Sequence, residues 1–224
     1  MNLLKLFITL GFIVFSQLVI ADIGIATNIA SPNLEYLNNI DSKFAVKKAM
    51  YREILSLAYE RIITKVRLQS LQPNSWGVIF ALDGTLLDSK TLLPNPGVDV
   101  ITCKIKNNGG RVVIVSQRYN PNLQDNKYIE NTVNLIKSSG ICFDSIVFAN
   151  NQKDTDKNPK FTAVSSGDYE NITTSKILSG FNVIAYFGSK ITDFPNLKEN
   201  LAEKLPLNDN MYKDFGQQYF MLPR

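Results

Sequence analysis

The chain has 224 residues with 24 basic and 20 acidic side chains, a formal net charge of +4. That length suits one α/β domain with a modest appendage, and 45% apolar residues are enough to build a core. The basic residues are scattered, which argues against a nucleic-acid partner, and the absence of any histidine excludes histidine-based triads, histidine phosphatases and His-ligated zinc.

Residues 1–21 read as a secretory signal peptide. Lys5 gives the positive start, residues 6–20 the apolar run, and Val19-Ile20-Ala21 a small-residue cleavage site. Cleavage there starts the mature chain at Asp22 and places it outside the cytoplasm, secreted or in a bacterial periplasm, with no stable membrane anchor. An uncleaved anchor is the alternative reading of the same run. No cysteine follows the run, so no lipoprotein anchor is expected.

Residues 22–33 are small and polar and read as a leader. A long helix is expected from Asp41, with Asp41 or Ser42 as N-cap. Phe44, Met50, Ile54, Leu57, Ala58, Ile62 and Val66 recur at helical spacing, so this rod needs a surface to pack on, best supplied by the core domain. Residues 71–75 read as a linker, giving an amino-terminal helical segment over 22–74 and a core domain over 75–224.

Residues 77–82 form an apolar run with the character of a fully buried strand. It breaks at Asp83-Gly84-Thr85, where glycine permits a tight turn. Pro94, Pro96 and Gly97 open a second helix, which closes at 107–110. Strands are expected at 111–115, 145–149 and 183–187, with a short edge strand at 217–222. A third helix spans about 125–138 and stops at Gly140, and the polar stretch 150–179 has little periodicity. Strand alternating with helix predicts an α/β three-layer sandwich around a parallel sheet with right-handed crossovers. Cys103 reads as helical and Cys142 as pre-strand. Two buried free thiols are the expected state, with a disulfide as the alternative that an exported compartment permits.

A parallel sheet places its ligands at the carboxyl ends of its strands. Four groups of residues fall there in chain order: Ala81, Asp83 and Thr85; then Ser116 and Arg118; then Lys157 and Lys160; then Ser189, Lys190, Asp193 and Phe194. No Walker loop or Gly-x-Gly-x-x-Gly pattern competes with them.

This ordered set resembles the motifs of the haloacid dehalogenase superfamily, and within it the secreted class C acid phosphatases. The resemblance runs over about residues 33–222. It implies a Rossmann-like core with a small helical cap, a phosphomonoester substrate and a Mg2+ cofactor. It also implies a role for each position. Ala81 stands where the family has its aspartate nucleophile, and Asp83 stands at the general acid. Thr85 completes the first motif. Ser116 would donate to the transferring phosphate and Arg118 would add a bidentate donor. Lys157, or failing it Lys160, would balance the charge of nucleophile and phosphate. The metal would draw on the Asp83 backbone carbonyl and Asp193, but Ser189 stands where the family has a carboxylate ligand, and Lys190 where it has asparagine. The family tail continues past a Leu-Pro pair, whereas this sequence ends Leu222-Pro223-Arg224.

A methyl group cannot attack phosphorus, and Mg2+ wants hard oxygen ligands. The resemblance therefore implies a catalytically degenerate acid phosphatase with weak or no Mg2+ binding, able to take a phosphomonoester small molecule. The alternatives are an active Mg2+-dependent phosphomonoesterase or 5′-nucleotidase, and a non-catalytic partner-binding protein that uses the amino-terminal helix.

Overall fold

The computed structural model describes residues 40–119, 126–198 and 209–224. The expected signal peptide, its cleavage site and the polar leader lie outside the described residues. Residues 46–224 form one compact unit; residues 1–45 form another, of which only the start of the first helix is described.

Five parallel strands make a single sheet: β1 (Trp76–Ala81), β2 (Arg111–Tyr119), β3 (Ser145–Ala149), β4 (Asn182–Gly188) and β5 (Tyr219–Met221), in spatial order β3-β2-β1-β4-β5. The helices are α1 (Ile40–Leu68), α2 (Val98–Asn107), α3 (Lys127–Ser138) and α4 (Asn158–Ser166). The α/β sandwich expected from the alternation is present. The chain winds outward from β1 through α2, β2, α3 and β3, then returns through α4 to place β4 on the other side of β1. A ligand crevice forms at such a switch point, beyond the carboxyl ends of the two central strands.

Every residue of β1 and β3 is buried, as a strand covered on both faces requires. Val78, Phe80, Val112, Ile114, Ile146 and Phe148 point to one face, where they meet α1, α2 and α3. Ile79, Val113, Val115 and Val147 point to the other, where they meet Phe161 and Val164 of α4 and the loop residues Phe181 and Phe194. An aromatic stack crosses the first face. Phe80 of β1 lies on Phe187 of β4 with ring centroids 4.1 Å apart, and Phe187 on Phe220 of β5 at 5.3 Å. This stack gives the three-residue β5 a reason to pair despite its length.

Three expectations are corrected. The first concerns α1, which packs on the core as expected, through Ala58 and Ile62 of the expected stripe with Ile54 and Val66 beside them, and also through Tyr51 and Leu55, which lie outside it. Phe44, Met50 and Leu57 of the expected stripe are exposed. The helix carries apolar residues on two faces, and spacing alone does not say which one meets the sheet. The helix also begins at Ile40, so Asp41 and Ser42 are inside it rather than capping it. The second correction is α4, a helix of nine residues inside the stretch that lacked periodicity. Pro159 in its first turn and the left-handed Gly167 at its end delimit it.

The third correction is the cysteines, which are joined rather than free. Cys103 on α2 and Cys142 in the α3–β3 connection have Cα atoms 4.9 Å apart and form a disulfide. A neighbouring ion pair, Lys106 with Asp144, fastens the same two segments, and Asp144 also accepts from the Val112 amide at 2.8 Å. The bridge closes a sequence separation of 39 residues. For a loop of that size the chain-entropy model gives about 4 kcal/mol of stabilisation. The paired variant Cys103→Ser/Cys142→Ser should therefore lose about 4 kcal/mol in urea unfolding, and the wild-type protein should lose as much on adding a reductant.

Candidate functional site

The carboxyl edge of the sheet gathers the sequence motifs. Ala81 ends β1 opposite Val115 of β2, so Ser116 is the next residue along that neighbour. Phe80 pairs with Phe187 of β4, which puts Gly188 and Ser189 on the other side. Ala81 and Ser189 thus lie at the same end of the sheet, at the switch point.

The turn after β1 depends on glycine. Gly84 has φ +81°, and a Cβ there would stand 2.7 Å from the Ser189 hydroxyl oxygen. The turn is closed by the Gly84 amide donating to the Leu87 carbonyl at 2.7 Å. Asp83 emerges from it half-buried and is gripped by Arg118. The guanidinium Nε donates to both carboxylate oxygens at 3.2 and 3.1 Å, and Nη2 donates to Oδ1 at 2.5 Å. The residues expected as general acid and as phosphate donor thus engage each other. Such a pair neutralises both charges and fixes both side chains.

Ser116 is buried, and its hydroxyl oxygen accepts from the Arg118 amide two residues on at 3.0 Å, a local contact within β2. Lys157 immediately precedes α4 and forms a buried ion pair with Asp193. The other oxygen of Asp193 accepts from the Ser189 and Lys190 amides at 2.8 and 2.9 Å. Asp193 can sit this close because residue 188 is glycine; a Cβ there would lie 2.3 Å from the Asp193 Cβ. The structure brings Lys157, and not Lys160, onto Asp193. Lys160, a helical turn further on, is buried with its ammonium on Asp154 at 2.7 Å and on the Asp156 carbonyl at 2.9 Å. Lys190 is exposed.

Two hydroxyls at this edge are buried without a hydrogen-bond partner, those of Thr85 and Ser189. Sequence reading missed two flanking residues. The Tyr51 hydroxyl donates to the Pro223 carbonyl at 2.9 Å and lies 3.5 Å from the Gly84 carbonyl. Burial pushes its phenol well above the ordinary range, with Asp88 adding to the shift, so it stays a donor. Arg224 Nε donates to the Ser189 carbonyl at 2.9 Å. Both contacts are between segments far apart in sequence and left no local signal.

The donor set does not fit Mg2+. The ion requires several hard oxygens free to coordinate. Ala81 offers none, and the Asp83 carboxylate is held by Arg118, which leaves Asp83 only its backbone carbonyl. Both oxygens of Asp193 are taken, by the Lys157 ammonium and by two amides, which leaves Ser189 with a neutral hydroxyl. Among the described residues, no group of three or more Asp, Glu, Cys or His side chains gathers in one place.

The sheet order and its flanking helices define a parallel α/β sandwich with a switch point at β1 and β4. Two solved structures share it, both of the class C acid phosphatase from Bacillus anthracis. One matches at 15% identity and TM-score 0.58, covering 79% of this chain and 77% of that one. The other, with tungstate bound, matches at 14% identity and TM-score 0.60, covering 84% and 80%. At such identities the likeness establishes the fold. No family model and no curated protein matches the chain.

Two outcomes follow. Removing one partner of a buried ion pair strands the other, so Lys157→Met should cost about 3 kcal/mol in urea unfolding. Lys157→Met combined with Asp193→Asn should cost less than the two single changes added, because the stranded charge is gone. The loop after Gly84 should show its own pH dependence. Asp88 accepts from the Thr91 and Lys90 amides and from Lys47, which hold its carboxyl down at about 2. A folded value below the unfolded one gives stability that is present above the ordinary carboxylate range, around pH 4. That stability is lost as pH falls towards 2. The melting-temperature gap between wild type and Asp88→Asn should narrow over that window.

Proposed function

We propose that this chain is an exported protein of acid-phosphatase fold that has lost metal-dependent phosphomonoester hydrolysis. One observation carries the reading: Arg118 closes on Asp83 beside Ala81, so the position of the nucleophile is a methyl group and the position of the acid is a neutralised ion pair. Loss of the nucleophile in other hydrolases costs about 10⁶ in rate. Ser189 in place of a carboxylate, with Lys157 on Asp193, weakens the metal as well.

Export rests on the leader sequence and is supported by the Cys103–Cys142 bridge, since oxidising compartments preserve disulfides. No helix among the described residues is long and apolar enough to cross a membrane. The edge keeps two unpartnered hydroxyls, Thr85 and Ser189, and two cationic side chains, Arg118 and Lys157, which an oxyanion would draw from their carboxylate partners Asp83 and Asp193. These groups suit an oxyanion such as a phosphomonoester, held without turnover. The Bacillus anthracis enzyme binds tungstate, an oxyanion of similar shape.

The test is a phosphomonoester assay on purified mature protein, with Mg2+ and with chelator. The native chain should show no turnover above background in either condition. Ala81→Asp alone should recover little, because Ser189, Lys190 and Arg118 still oppose the ion. Ala81→Asp with Ser189→Asp and Lys190→Asn should recover far more than the single changes suggest, because all three act on one metal. Turnover by the native chain that disappears on chelation would overturn the reading.

A further inference from the structure

Helix α1 carries a second face with four exposed apolar residues, which Gln217 borders near its carboxyl end. Val46 is 42% exposed, Met50 48%, Leu57 47% and Leu68 81%. At 3.6 residues per turn these four share one narrow stripe with Glu53, Arg61 and Thr64. The stripe lies well round the helix from Tyr51, Leu55, Ala58 and Ile62, which bind the core. Leu57, Arg61, Thr64 and Leu68 also line a groove of about 410 Å³ with Gln217.

The order of residues on the stripe is symmetric about Leu57. Glu53 and Arg61 are each four residues away, Met50 and Thr64 seven, and Val46 and Leu68 eleven. A second copy of α1 laid antiparallel, with a two-fold axis at Leu57, would set unlike charges opposite each other twice. It would also set Met50 against Thr64 and Val46 against Leu68, which fills the groove. Arg61 is half-buried, and its Nη1 donates to Gln217 Oε1 at 2.6 Å, which holds the guanidinium beside the stripe. A carboxylate arriving from another chain would pair with its outward side.

We propose that this face of α1 is a homodimer interface, two helices packed antiparallel about Leu57, with Glu53 of each chain paired to Arg61 of the other. An isologous contact of this kind is self-complementary by construction. Opposed charges on its rim set register and orientation.

Sedimentation equilibrium of the full mature chain tests this, at concentrations up to the order of 100 µM, high enough to register a weak, small interface. The wild type should dimerise, and Leu57→Asp should remain a monomer with an unchanged circular dichroism spectrum. Glu53→Arg and Arg61→Glu change exposed or half-exposed positions and keep the fold. Each places like charges opposite each other and should raise the dissociation constant by about tenfold or more at low salt. Mixing the two single variants restores both unlike pairs in a heterodimer, so the mixture should associate as tightly as wild type. A wild-type chain that stays monomeric throughout overturns the proposal, as it would if another part of the chain covered the stripe. A dimer indifferent to Leu57→Asp, or variants that do not recover on mixing, would place the contact elsewhere and overturn it equally.

Discussion

The buried Asp193 carboxylate holds the carboxyl edge of the sheet together. It lies almost wholly out of water, where an unpaired charge would be severely disfavoured. The surrounding segments therefore arrange themselves around it. Lys157 approaches from the start of α4, two amides turn inward after β4, and residue 188 carries no side chain to obstruct the approach. This one group ties the strand after the switch point to the helix before it. The Ser189 hydroxyl is oriented as a consequence, since its own backbone amide is one of the donors. At this edge Lys157 balances Asp193 and Arg118 balances Asp83.

The sheet was legible in the sequence because each strand is short, apolar and bounded by turn residues. The four principal strands stand within a few residues of their expected places, and the end of the sheet where Ala81, Ser116 and Ser189 meet follows from strand order alone. β2 runs on to Tyr119, past the expected Val115, because Ser116 and Arg118 belong to the strand rather than to a turn. Pairings between distant side chains were not legible. Arg118 reads as a donor to phosphate, and only the fold puts the Asp83 carboxylate within its reach. Lys157 and Lys160 are both plausible on sequence; a helical turn between them sends one to Asp193 and the other to Asp154. The disulfide was hidden for the same reason, since its halves sit on a helix and a loop that meet only on the outside of the sheet.

Helix α1 shows a limit of periodicity of a different kind. Its two apolar stripes are both at helical spacing, so the pattern establishes the helix without choosing the buried side. Tyr51 in the core stripe combines both kinds of contact, with its ring in the core and its hydroxyl on the Pro223 carbonyl. The stripe left outside is then conspicuous, and monomeric surfaces rarely keep such a face bare.

The disulfide also sets how the chain would respond to mechanical tension. β2 and α3, with Ser116 and Arg118, lie wholly between Cys103 and Cys142. A pull on the two ends of the chain therefore passes through the bridge and bypasses everything between. With about 3.5 Å of extension available per residue, the separation of 39 residues withholds roughly 140 Å of contour length. The segment that supplies Arg118 to Asp83 is in this sense shielded. Tension can strip β1 and β4 away from it, but it cannot draw the enclosed segment out until the sulfurs part.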